Sequence, residues 1–193
     1  MNKNDLRYQK TEANIRNSYL KLSETLSCKE ITIKNICEQA LCSRNTFYLH
    51  YTSKEDLYHT LINELLASVS KAFEPYVEHA KQINTKHYIA YCDAIINSIQ
   101  DNKKTLTVFI KSDNGIFFKQ LYDCIEKVVY NTTSSISKRD DTTSKKLYAA
   151  YLAGSITGFV FEWLKNDDIT DDEARKSLQQ IHINAMTTFT KIL

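Results

Sequence analysis

Arg44, Asn45, Thr46, Tyr48 and His50 fall within seven consecutive positions, and each ends in a group that donates or accepts hydrogen bonds. Arginine can address guanine and asparagine adenine through paired bonds in a major groove, each good pair discriminating by ~1–3 kcal/mol. Thr32, Tyr48, His50 and Lys54 have the reach and chemistry of phosphate contacts, which fix register without reading sequence. Ser43 joins them at the start of the same short segment. The chemistry offered is non-covalent recognition of a duplex.

Such side chains work only on a rigid support, and the flanking residues supply one. Thr32 can cap a first helix whose apolar face is Ile33, Ile36, Cys37 and Ala40 at helical spacing. Leu41 and Cys42 form a turn. Ser43 can cap a second helix in which Phe47 and Tyr51, one turn apart, face inward. A helix this brief is marginal alone and needs a neighbour. A helix from about Thr11 to Leu26, with Ile15, Tyr19, Leu22 and Leu26 as its buried stripe, is that neighbour. Residues 1–10 read as a polar arm ahead of it. Ser53, with Asp56 three residues later, signals the start of a further helix through Leu57, Leu61, Leu65, Val69 and Phe73, ending at Pro75.

Thr32-x3-Ile36-Cys37, Ala40-Leu41-Cys42-Ser43, Thr46-Phe47-Tyr48-x-His50-Tyr51 and Ser53-Lys54-Glu55-x-Leu57 together resemble the DNA-binding domain of the TetR family of bacterial regulators. The resemblance covers roughly residues 10–60. Leu41 stands where glycine is common in that family, and Tyr51 where phenylalanine is common. A leucine forced into the left-handed region there carries roughly 1–2 kcal/mol of strain.

The fold class expected is all-α: a three-helix DNA-binding domain (1–54) followed by a helical effector and dimerisation domain (55–193), about nine helices in all. Three glycines and one proline in 193 residues leave few turns and make sheets improbable. Charge alone does not announce nucleic acid. Residues 1–60 hold nine Lys/Arg against seven Asp/Glu, leaving 16 against 16, so the net +2 sits at the amino end. Five cysteines at irregular spacing, without a CxxC pair, suit buried reduced thiols in a cytoplasmic protein. No run reads as a membrane span, and no membrane partner is expected. No GxGxxG, P-loop or GxSxG occurs, and the five histidines are scattered, so neither enzyme, cofactor nor metal site is expected.

Further helices are expected at 84–100, 103–111, 116–136, 142–166 and 171–191, with 132–144 (TTSSISKRDDTTS) a loop. Tyr88, Tyr91, Cys92, Phe109, Phe117, Phe118, Tyr122, Phe159 and Trp163 are the candidates to line an effector pocket. The family resemblance implies a small apolar or cationic inducer among these helices. It also implies a homodimer formed by the last two, for which Tyr151, Gly154, Gly158, Phe161, Ile181, Ala185 and Phe189 are the candidates. Gly154 and Gly158 lie four apart on one face, where missing side chains permit close helix approach. The protein implied is a repressor that binds a palindromic operator as a dimer and leaves it on binding an effector. The late Gly-x3-Gly…Trp-Leu helix also resembles a branch that includes regulators of dihydroxyacetone-kinase operons. Some of these answer to a protein partner, so such a partner, and an activating role, stay open. A helical protein-interaction module is the alternative from another class.

Overall fold

The computed structural model describes residues 5–72, 85–112, 115–136 and 142–189; the side chains of 85–88, 91, 132, 133, 135, 136, 182 and 184–189 lie outside the description. The described residues form nine α-helices: α1 Leu6–Leu22, α2 Ile33–Ala40, α3 Arg44–His50, α4 Lys54–Lys71, α5 Thr85–Asp101, α6 Lys103–Lys111, α7 Ile116–Ile136, α8 Thr142–Lys165 and α9 Asp171–Phe189. Contacts divide the chain into an amino-terminal unit, Met1–Leu65, and a carboxy-terminal unit, Leu66–Leu193. The division falls within α4 rather than at its start, where the sequence places the domain boundary. The reason is that Leu57, Leu61, Ile62 and Leu65 are buried as part of the first unit.

In the amino-terminal unit α1 packs on α2, and α2 on α3. Ile15, Tyr19, Ile31, Ile36, Phe47 and Leu57 are almost wholly buried and form its core. Phe47 alone, fully buried, contributes roughly 1.5–3 kcal/mol to holding a helix of two turns. Helix α1 begins earlier than expected. Asp5 caps it, accepting from the Arg7 amide at 2.9 Å, and Tyr8 is buried, so much of the supposed arm is helix. Its far end stops at Leu22, with Leu22 and Leu26 only half-buried.

In the carboxy-terminal unit α8 packs along α7, α9 along α5, and α6 against both α7 and α8. Phe109, Phe117 and Phe161 form a continuous aromatic row, with ring centroids 5.5 and 6.1 Å apart. Phe118 meets Phe161 edge-on at 4.9 Å. Two charged clasps tie helices together. Asp93 on α5 accepts from Arg175 and Gln179 on α9, at 2.7 and 2.9 Å. Lys103 on α6 pairs with Asp171 on α9 at 2.5 Å, and its ammonium stands 5.6 Å from the centre of the Trp163 ring. Thr170 and Glu173 form the expected capping box ahead of α9, the Glu173 amide donating to Thr170 Oγ1 at 3.2 Å and the Thr170 amide to Glu173 Oε2 at 2.9 Å.

The helices expected at 116–136 and from 142 are present with those bounds, so the polar stretch assigned as a loop over 132–144 is helical at both of its ends. Its serines and threonines are only mildly poor helix formers. By length and composition alone α8 is apolar enough to cross a membrane, a test that a buried core helix also passes, and half of its most apolar window is buried inside the structure. The Phe73 end of α4 and Pro75 lie outside the described residues.

Candidate nucleic-acid interface

Helix α3 is presented by two caps and a turn. Thr32 Oγ1 accepts from the Asn35 amide at 3.2 Å, and Asn35 Oδ1 accepts from the Thr32 amide at 3.1 Å, a reciprocal box at the start of α2. The α2 carboxy end closes through two bonds: the Cys42 amide donates to the Cys37 carbonyl at 3.0 Å and the Leu41 amide to that of Glu38 at 3.4 Å. This is the Schellman arrangement, which places the residue at Leu41 in the left-handed region. Leu41 has φ 54° and ψ 42°, and it is the non-glycine residue with positive φ among the described residues. The leucine accepts the strain that glycine avoids, and its side chain is 93% exposed. Burial pushes the adjoining Cys37 thiol up to about 11, so it is an inert core group. Of the five thiols, Cys37 and Cys92 are buried, Cys42 and Cys124 half-buried, and Cys28 exposed.

Ser43 starts α3, its Oγ accepting from the Thr46 amide at 3.0 Å and lying 2.8 Å from Thr46 Oγ1. At 100° per residue, Phe47 and Tyr51 point to one side and are buried, Leu49 and Asn45 point away from them, and Arg44 and Tyr48 lie between; these four are exposed. Thr46 lies at the edge of this exposed arc, half-buried. Leu49 was not among the sequence candidates because an apolar residue carries no hydrogen-bonding signal.

Two expected phosphate contacts face elsewhere. The His50 ring lies against Tyr8 of α1 with centroids 4.0 Å apart, and both its nitrogens are buried without a hydrogen-bond partner among the described residues. Burial holds its pKa below the usual histidine value, opposed by the nearby Glu12 charge. Lys54 turns back into the 28–31 turn. Its ammonium donates to the carbonyls of Cys28 (2.7 Å), Ile31 (2.7 Å) and, more weakly, Lys29 (3.4 Å), leaving the side chain 17% exposed. It braces the loop before α2. The start of α4 is capped as expected by Ser53, which accepts from the Asp56 amide at 3.0 Å. The Asp56 carboxylate, however, accepts from the Thr52 amide and hydroxyl instead of from Ser53.

The tyrosine at 51 has a structural reason. Its hydroxyl accepts from Arg16 Nε at 2.9 Å and donates to Glu12 Oε1 at 3.2 Å. Arg16 also grips Glu64 of α4 through two bonds, at 2.6 and 2.7 Å. The guanidinium holds Glu64 below the usual carboxylate range, and burial raises the Tyr51 hydroxyl to about 12. One arginine thus joins α1, the end of α3 and α4.

In the carboxy-terminal unit the effector candidates divide. Phe109 meets Phe117, Phe117 and Phe118 both meet Phe161, and Phe159 lies 6.5 Å from Trp163. Cys92 is buried toward α9, its thiol 3.9 Å from the Leu178 carbonyl. Tyr122 faces Gly154, where an added Cβ would meet its ring at 3.9 Å. The side chains of Tyr88 and Tyr91 lie outside the described residues. The sequence missed Thr157, which is fully buried with its hydroxyl unpartnered among the described residues. Of the dimer candidates, Tyr151 and Ile181 are exposed, and a Cβ at Gly158 would meet nothing within 4 Å. Within the chain's own fold, neither glycine is therefore required by a close helix approach. Phe161 belongs instead to the core, since its ring is enclosed by Phe117 and Phe118. Ala185 and Phe189 have side chains outside the described residues.

A short capped helix, braced by two others and turning polar groups outward, defines a helix-turn-helix head on an all-α chain. Residues 86–183, about half of the chain, match the family described as the transcriptional regulator C-terminal region of TetR proteins. The chain belongs to the TetR family of transcriptional regulators, a family that is not enzymatic. It is 20% identical over 166 residues to an uncharacterized HTH-type transcriptional regulator, YxbF, of Bacillus subtilis, covering 86% of this chain but only 43% of that relative's length. Its fold is similar to a TetR transcriptional regulator from Streptococcus agalactiae (TM-score 0.59, 22% identity, 90% and 93% of the two chains covered). It is also similar to the dihydroxyacetone kinase operon activator DhaS (TM-score 0.61, 13% identity, 95% and 97% covered).

Proposed function

We propose that this regulator binds a palindromic operator as a homodimer, reading each half-site with α3, and that it acts as a repressor released by an effector bound in the carboxy-terminal unit. The observation that carries the reading is the exposed side of α3, where Arg44 and Asn45 stand free to solvent in the first turn while Phe47 and Tyr51 are buried. Side chains at that end of a reading helix meet base edges. Thr32, Ser43, Thr46 and Tyr48 lie near enough to serve as backbone contacts, while Lys54 and His50 support the head from within. Four exposed side chains specify few base pairs, which favours two heads about 34–36 Å apart, or a multiple, on a symmetric site. The second copy would cover the exposed Tyr151 of α8, on the same helical side as Gly158, and the exposed Ile181 of α9. The effector would engage the buried Thr157 hydroxyl and move α4, which has residues in both units.

The test is titration of DNA from upstream of the chain's own gene at several salt concentrations, with mass measured by light scattering. Specific binding that weakens steeply with salt is expected, because phosphate contacts release counterions. No measurable affinity at low salt would overturn the reading. A mass equal to one 22.4 kDa chain would remove the dimer.

A further inference from the structure

Leu49 is 57% exposed on α3, and it is not covered by the helices that hold the head together. Scattered exposed leucines are ordinary on protein surfaces. This one has a particular setting. It stands one turn after Asn45 and next to Tyr48, on the exposed arc of α3 that points away from Phe47 and Tyr51. A leucine in that arc cannot bond a phosphate or the polar edge of a base. In the major groove each base pair presents donors and acceptors, and thymine alone adds an apolar group, its C5-methyl. A side chain with only methyl groups to offer has that one complementary partner there.

We propose that Leu49 is a specificity-determining residue that reads a thymine C5-methyl; the inference rests on α3 being the reading helix. Four residues of α-helix rise about 6 Å, and stacked bases are 3.4 Å apart, so the thymine lies within about two base pairs of the position that Asn45 reads. The polar residues of the arc set hydrogen-bonded positions. Leu49 adds a neighbouring position recognised by shape and apolar contact alone.

The experiment begins with selection of binding sites from a random duplex library by the full-length protein. Each thymine of the selected site is then replaced by deoxyuridine, which keeps every donor and acceptor and removes only the methyl. Burying one methyl-sized group corresponds to about a fourfold change in affinity. The wild-type protein should bind about fourfold more weakly when one particular thymine of each half-site is replaced. Leu49→Ala should bind the thymine and uracil sites equally, and Leu49→Met should retain the preference. Asn45→Ala should relax selection within two base pairs of that thymine. Since Leu49 is exposed, the alanine variant should match wild type in melting temperature and in affinity for unrelated DNA. A wild-type protein indifferent to every replacement overturns the proposal. So does a Leu49→Ala protein as sensitive as wild type, which would mean that another group touches the methyl. A selection that enriches no sequence instead removes the DNA-reading function itself, and this inference with it.

Discussion

Replacing Leu41 by glycine should stabilise the DNA-binding head. At φ 54° and ψ 42° the residue lies in the left-handed helical region, where a side chain beyond glycine costs roughly 1–2 kcal/mol. The substitution removes that strain. It also gives the unfolded chain more freedom, which offsets roughly 0.5–1 kcal/mol of the gain. Loss of burial adds almost nothing, because the side chain is 93% exposed. The bonds that close α2 involve the backbone of residues 37, 38, 41 and 42, and they survive. The net expectation is ~0.5–1 kcal/mol of added stability, a two- to fivefold slowing of amide exchange that proceeds through opening of the head. Hydrogen exchange followed by mass spectrometry on the full chain separates peptides of 33–50 from those of α7 and α8, which should not change. Leu41→Ala keeps a Cβ in the left-handed region and should gain little. Exchange in 33–50 that is unchanged or faster in the glycine variant would refute the reasoning.

Other substitutions probe other parts of the head and the core. Tyr51→Phe removes the acceptor of Arg16 Nε and the donor to Glu12, so it should cost about 1–2 kcal/mol in urea unfolding. Its effect should be non-additive with Glu64→Gln, since both partners share Arg16; strict additivity would break the network. Burial lowers the His50 pKa in the folded head, so the unfolded chain takes up that proton first. Stability from this group is intact above about pH 6.5 and falls as pH drops through the folded value. His50→Phe, which preserves the stack on Tyr8, should flatten that slope, and an unchanged slope would assign it to other groups. Lys54→Met should speed exchange of the 28–31 turn and weaken the head by about 1–2 kcal/mol, whereas Arg44→Ala should relax base preference without a stability loss. Equal effects on all sequences from Arg44→Ala would contradict its base-reading role. Phe161→Ala should cost ~3–5 kcal/mol by opening the core of the second unit.

The parts of the head legible in the sequence are those fixed by near neighbours. Thr32 and Ser43 cap helices through residues three positions away, and Phe47 and Tyr51 share a face by helical period alone. Leu41 was marked by its residue type, and the turn does take the left-handed form. What stayed hidden depends on segments distant in the chain. His50 looked like an outward polar group until Tyr8, from a stretch read as an arm, covered it. Lys54 looked free until the 28–31 carbonyls turned toward it. The Tyr51 hydroxyl finds Arg16 and Glu12 on α1, and Arg16 in turn reaches Glu64 on α4. Phe161 shares α8 with Tyr151, and nothing in helical spacing told which would be enclosed. Periodicity reports that a face is apolar, not what lies against it.

The clasp of Lys103, Asp171 and Trp163 makes the protein its own optical gauge. The chain contains one tryptophan, and it is buried in the carboxy-terminal unit beneath an ammonium held by a carboxylate. Its emission should therefore be blue-shifted and sensitive to where that charge stands. None of the proposed base contacts adjoins it in the sequence, and all lie in the other unit. A change in emission when an operator is added would record strain arriving in the second unit. A ligand that bound against Trp163 would alter the same signal directly. One fluorophore, with no label attached, could time both halves of the response.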